Sequence, residues 1–94
     1  MNATEHALLA VMAADSGDTA TAREQLSEAQ RDARTTARRD RQIVQIAALV
    51  VAGQRERAAG LTHEHTVEFP GDAELLALVT AAARNLGLHE RADR

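Results

Sequence analysis

The hexapeptide GQRERA at residues 53–58 returns 34 residues later as GLHERA at residues 87–92, with four of the six positions identical. A third glycine, Gly17, lies 36 residues before Gly53, and an alanine follows each of the three glycines by five residues. Each glycine also closes an apolar run with helical spacing, which is the usual place for a left-handed helix terminator. The sequence therefore predicts a chain of helix-turn-helix repeats.

This segmentation predicts five helices and the start of a sixth. Helix four must end before Pro70, because proline disfavours helical geometry at the residue that precedes it. We expect Asp72 to cap helix five and Gly87 to end it. The predicted stretches are Thr4–Ser16, a second helix from Asp18 or Thr19, Ala37–Ala52, a fourth between Gly53 and Pro70, a fifth from Asp72 to Gly87, and the unfinished sixth, Leu88–Arg94.

Length and composition limit the chain to one small all-α domain, residues 1–94. Hydrophobic residues make up 45% of it, yet Phe69 is the single aromatic residue, so the core must consist of small side chains between closely spaced helices. No cysteine is present, which fits a cytoplasmic protein. The apolar runs are too short to cross a bilayer, and a net charge of −3 disfavours nucleic acid as the partner.

Helix pairs that repeat every 34 residues resemble the tetratricopeptide repeat (TPR) family. The resemblance covers about two and a half units, at residues 3–36, 37–70 and an incomplete 71–94. The glycines match the family's turn positions, Ala10 and Ala29 its small packing positions, and Pro70 its terminal proline. The usual large aromatic residues are missing, and Arg34 stands where the first unit's proline would be. The resemblance implies a short right-handed solenoid that binds another protein.

By the same resemblance, the first helix of each unit lines a concave surface that would hold a peptide or a helix. Arg84 is the only basic residue among the matching positions, so a carboxylate clamp is not expected. A ligand with aliphatic anchors and some basic residues would suit the strip, although the strip could also pack against the chain's own helices. The matching positions are Thr4 and Ala7, followed by the predicted partner-binding residues Val11, Asp15, Asp40, Ile43, Ala47, Val50, Glu74, Ala77, Ala81 and Arg84.

The C-terminal end is a second expected docking surface. If a sixth helix begins at Leu88 and stops at Arg94, the apolar side of helix five, with Leu75, Leu78 and Leu86, stays partly uncovered. The sequence leaves three occupants open: a second copy of the chain, a continuation of the chain, or a foreign partner. Self-association is thus the alternative to a protein-binding module.

Two polar clusters suggest other functions, which the pattern disfavours. Five arginines between residues 31 and 41 could contact phosphates, but Asp32 and Asp40 interrupt them, so a solvated face with local ion pairs is the preferred interpretation: Arg31, Arg34, Arg38, Arg39 and Arg41. His63 and His65 are two residues apart and point away from each other on a helix, unlike a zinc pair, so we expect one exposed and one core histidine.

Enzymatic activity and a cofactor are not expected. The chain has no Cys, Tyr, Trp or Lys, and it contains no glycine-rich phosphate loop. No serine stands in a recognisable nucleophile turn.

Overall fold

The protein is all-helical in the computed structural model, which describes the backbone of residues 2–92 and the side chains up to Ala82. Five α-helices and one short 3₁₀ turn account for the described secondary structure, and the described residues contain no strand. The helices are α1 (Ala3–Asp15), α2 (Thr19–Ala33), α3 (Arg38–Val51), α4 (Arg55–Glu68) and α5 (Ala73–Ala92), with the 3₁₀ turn at Pro70–Asp72. The first four predicted helices are confirmed to within a residue or two.

Two corners of the chain have the same geometry. Gly17 and Gly53 adopt φ values of 87° and 78°, in the left-handed region that favours glycine. At the first corner the Gly17 amide donates to the Ala14 carbonyl and the Asp18 amide to the Ala13 carbonyl. The same two bonds recur 36 residues later, at Gly53 and the residue after it. This paired pattern is the Schellman helix end, so the predicted glycine terminators of the first and third helices are confirmed.

The third corner departs from the prediction. Helix α5 continues through Gly87 to Ala92, so the predicted end of helix five and the predicted sixth helix at residues 88–94 are both wrong as far as the described residues go. A glycine inside a helix costs only about 1 kcal/mol relative to alanine, which the apolar helix on either side can offset. The hexapeptide GLHERA is thus similar in sequence to the earlier turn GQRERA, but it adopts a helical conformation instead of a turn.

The connection between α4 and α5 differs from the sequence prediction in the role of Asp72. Helix α4 ends before Pro70 as predicted, and Phe69 takes an extended φ of −128°. The predicted N-cap of helix five, Asp72, instead closes the 3₁₀ turn, and its carboxylate binds Arg39 and His65. A charged partner outcompetes the backbone amides that a capping aspartate would otherwise serve.

All five helices contribute to one hydrophobic core. Helix α5 contacts α1, α3 and α4, so it packs against the helices that begin each of the first two units. Alanines dominate the α1 and α2 contributions and allow close helix contact, whereas Ile43, Ile46 and Val50 fill the centre from α3. Within residues 2–92, none of the helices combines the length and the apolar character needed to cross a bilayer.

The first turns of α1, α3 and α5 lie at the same end of the molecule. The Thr4 hydroxyl in α1 donates to the Asp40 carboxylate at the start of α3, over 2.6 Å. The neighbouring Arg39 binds Asp72, which immediately precedes α5. These bonds bring the starts of the three helices together, and the three helices also contact one another directly.

Candidate functional site

The ten predicted partner-binding residues fall into four groups in the structure. Those of the first group are buried in the core: Val11, Ile43, Ala47 and Val50. Asp15 and Asp40 are half-buried, and three residues of α5 are exposed: Glu74, Ala77 and Ala81. Arg84 lies outside the described side chains. Thr4 and Ala7, which belong to the same strip, are buried as well.

The burial of the strip has a clear cause. Because α5 contacts both α1 and α3, it covers the side chains that an open array would present to a ligand. For the four buried residues, the structure therefore has the alternative arrangement that the sequence left open, in which the strip packs against the chain's own helices.

A groove between α1 and α5 remains accessible and is lined mainly by apolar side chains. Its volume is about 350 Å³. Two large hydrophobic side chains on its rim are unusually exposed, Met12 at 66% and Leu78 at 69% of their surface. The lining residues are Leu8, Val11, Met12, Asp15, Leu78, Val79, Ala81 and Ala82. Val11, Asp15 and Ala81 of the predicted set thus meet in one place.

The charged residues on the described walls of this groove, α1 and α5 as far as Ala82, are acidic apart from His6. The acidic residues of α1 are Glu5 and Asp15, and the described part of α5 carries Glu74. His6, the one basic side chain on α1, turns towards α2, with Nδ1 2.7 Å from Gln25 Oε1 and Nε2 3.7 Å from an Asp32 oxygen. As far as its side chains are described, the groove is therefore apolar at its base and acidic at its margins.

A second cluster, which the sequence did not predict, joins α3 to the corner between α4 and α5. Arg39 donates from Nη2 to Asp72 Oδ1 over 2.6 Å and from Nε to Asp72 Oδ2 over 2.9 Å. The fully buried ring of His65 has Nε2 2.7 Å from the same Asp72 Oδ2 and Nδ1 2.7 Å from Gln42 Oε1. We call Arg39, Gln42, His65 and Asp72 the corner network.

The corner network stabilises the negative charge of the Asp72 carboxylate, which is largely buried. The Arg39 guanidinium and, more weakly, the hydrogen bond from His65 lower the pKa of Asp72 below its ordinary value, although burial opposes them. The hydrogen bond to Asp72 in turn raises the pKa of Arg39. Among the described residues no buried side-chain polar atom lacks a hydrogen-bond partner. The arrangement matches that of a structural clamp, because no nucleophile is part of it and the imidazole is closed to solvent.

Asp40, one of the predicted partner-binding residues, is occupied by the chain's own donors. Besides Thr4, it accepts from the Thr36 hydroxyl over 3.2 Å and from Arg39 Nη1 over 3.2 Å. These bonds link the first turn of α1 to that of α3.

The histidine pair behaves as the spacing predicted. His63 is exposed, whereas His65 is buried and lies against Phe69 with a ring-centroid distance of 4.9 Å. The prediction of one exposed and one core histidine is confirmed. No group of three or more potential metal-ligating side chains is found in the described part of the chain.

The arginine cluster forms local ion pairs. Arg31 binds Glu28 at 3.3 Å, Arg38 binds Glu68 at 3.2 Å, and Arg39 binds Asp72. Three of the five arginines therefore have acidic partners within the chain, although only the Arg31–Glu28 pair is local in sequence.

Comparison with known proteins gives no relative. No protein-family model, no curated protein sequence and no solved structure matches the chain significantly. The function must therefore be argued from the surface of the molecule itself, and the groove between α1 and α5 combines an apolar lining with two exposed large hydrophobic side chains.

Proposed function

We propose that the chain is a non-enzymatic protein-binding module whose binding site is the groove between α1 and α5. The observation that carries the proposal is the exposure of Met12 and Leu78 at the rim of an apolar groove. Contiguous apolar surface of this kind is costly to leave in water and marks interaction sites on soluble proteins. Methionine is well suited to such a rim, because its flexible side chain adapts to a partner's shape.

A protein segment suits the groove better than a small molecule. Sites for small ligands measure roughly 300–1,000 Å³ and combine apolar walls with a few convergent polar groups. This groove is at the small end of that range, and among the described side chains that line it only Asp15 is charged. Met12 and Leu78 extend the apolar surface outwards, where only a larger partner could cover them.

We further propose that the helices form a TPR-like array. Two features support this: the repeated glycine corner at an interval of 36 residues, and the starts of α1, α3 and α5 at one end of the molecule. The array would differ from an open solenoid, since α5 packs against both earlier units. The cytoplasm is the proposed compartment, because a chain without cysteine has no disulfide that calls for an oxidising one.

Self-association is the alternative, since the same apolar groove could be covered by a second copy. Site-specific photocrosslinking separates the two. A photoreactive amino acid replaces Leu78 at the groove or, as a matched control, the equally exposed Val67 on α4. Crosslinks from position 78, but not from position 67, to one defined segment of a foreign protein would support the proposal. Crosslinks from position 78 to the chain itself alone would favour self-association.

A further inference from the structure

The charged residues of the molecule are segregated by helix. Every arginine whose side chain is described lies on α2, α3 or α4 or at the end of one of these helices: Arg23, Arg31, Arg34, Arg38, Arg39, Arg41, Arg55 and Arg57. The walls of the groove, α1 and α5 as far as Ala82, carry Glu5, Asp15 and Glu74 and no arginine. Over the described side chains, this distribution makes the margin of the groove acidic; Arg84, the next charged residue along α5, lies outside them.

The three carboxylates mark both ends of the groove. Glu5 and Glu74 stand in the first turns of α1 and α5, which lie at the same end of the molecule. Asp15 is the last residue of α1 and lines the groove at the opposite end. Ten residues of helix separate Glu5 from Asp15, a rise of about 15 Å. The apolar rim residue Met12 lies between them on the same face, since positions seven apart nearly eclipse on a helix.

We propose that the groove binds an amphipathic basic helix: one with aliphatic anchors along one face and lysines or arginines about three turns apart on either side of the anchors. This inference rests on the proposed protein-binding function and adds the chemistry of the partner. Basic side chains at that spacing would reach Asp15 at one end and the Glu5–Glu74 pair at the other. The aliphatic anchors between them would cover Met12 and Leu78.

A helix suits the groove better than an extended peptide does. The walls are helices whose backbone groups are bonded within themselves, so no sheet edge is available to pair with a strand. An extended peptide would therefore leave its own backbone donors and acceptors unpaired along an apolar surface, which is costly. A helix satisfies those groups internally and presents a row of side chains to the groove.

Charge also favours a foreign basic helix over a second copy. A twofold dimer through this groove would bring the same surface from both chains together. Glu5, Asp15 and Glu74 of one copy would then lie near the same three carboxylates of the other, and like charges oppose association. The basic side chains of a foreign helix would instead be attracted to these carboxylates.

The test uses two synthetic helical peptides that share one row of leucine anchors and differ only in their flanking residues, lysine in one and glutamate in the other. Binding to the full chain is followed by fluorescence anisotropy at low and at high ionic strength. We expect the lysine peptide to bind about tenfold more tightly at low salt, because several exposed ion pairs each contribute a few tenths to 1 kcal/mol. The difference in affinity between the two peptides should decrease at high ionic strength, because salt screens the charges.

Variants of the chain test whether the peptides bind at the groove. The double substitution Asp15→Arg and Glu74→Arg should reverse the preference between the two peptides, whereas Glu64→Arg, at an exposed position on α4, should leave the preference as it is. Leu78→Ser should weaken both peptides, and Val67→Ser, equally exposed but away from the groove, should weaken neither.

The outcomes separate the inference from the function on which it rests. Equal binding of both peptides, weakened by Leu78→Ser, would overturn the basic-helix inference and leave the protein-binding function standing. If neither peptide binds and Leu78→Ser converts a dimer to a monomer in sedimentation, both the inference and the function fail in favour of self-association. If neither binds and the chain is monomeric, the inference is overturned.

Discussion

Arg39 at the start of α3 and Asp72 before α5 form a two-pronged ion pair, with Nη2–Oδ1 and Nε–Oδ2 distances of 2.6 and 2.9 Å. The pair joins residues 33 positions apart and determines where α5 begins to pack against α1 and α3. Because the accessible groove exists only where α5 meets α1, this polar contact at one end of the molecule helps to position the apolar site along its side.

Removing the Asp72 carboxylate should therefore destabilise the whole fold. Asp72→Ala leaves the fully buried His65 ring without its acceptor, which costs about 1–3 kcal/mol, and it removes the main acceptor of the half-exposed Arg39 guanidinium. We expect the free energy of unfolding to fall by about 2–3 kcal/mol in urea denaturation. Glu64→Ala, at an exposed position on α4, should change it by no more than about 0.5 kcal/mol. Equal effects of the two substitutions would show that the corner network contributes little.

The same carboxylate should make stability depend on acid pH. The pKa of Asp72 is lowered in the folded chain, mainly by its hydrogen bonds with Arg39, relative to an ordinary value of 3.8. The stabilisation is thus fully present above the unfolded-state pKa and is lost as the pH falls through the lower folded-state pKa. The gap in urea midpoint between the wild type and Asp72→Asn should narrow as the pH falls below about 4. A gap that stays constant would exclude this linkage.

Glycine substitutions test the helix boundaries. Gly17 has a φ of 87°, and a Cβ added there would meet nothing within 4 Å, so Gly17→Ala should cost about 1 kcal/mol through backbone strain alone. Gly60 lies inside α4 and also has open space around an added Cβ. Gly60→Ala should therefore stabilise the protein by about 0.5–1 kcal/mol. Thermal melts of the two variants should move in opposite directions, and a shared direction would contradict the assigned corner.

The first two units could be predicted from the sequence because their signals are local. Gly17 and Gly53 each end an apolar run and are followed by a new helix, and no distant contact is needed to form their turns. Gly87 has the same neighbours in sequence, yet α5 runs through it. Whether a helix stops at a glycine depends on whether continuing it buries more apolar surface, which is a tertiary property.

The candidate site was less predictable for the same reason. Val11, Asp15 and Ala81 were assigned to a ligand surface and do line the groove, but Ile43, Ala47 and Val50 were assigned with them and are core residues. Whether a predicted residue lines the groove or is buried in the core depends on the position of α5. The bonds of Asp72 to Arg39 and His65 help to determine that position. Contacts between residues 33 apart leave no periodic signal in a single sequence.

The last prediction concerns the close packing of α4 against the core at Ala58. Ala58 follows the Gly53 corner by five residues and is buried in the common core, whereas its neighbour Ala59 is exposed. Ala58→Leu should overpack the contact of α4 with the core and lower the free energy of unfolding by about 1–3 kcal/mol. Ala59→Leu adds the same side chain to the same helix and should change it by less than about 0.5 kcal/mol. Because both variants gain equal helix propensity, the difference between their melting temperatures isolates the packing effect. Equal melting temperatures would mean that α4 does not approach its neighbours through Ala58, and the repeat register would then be wrong.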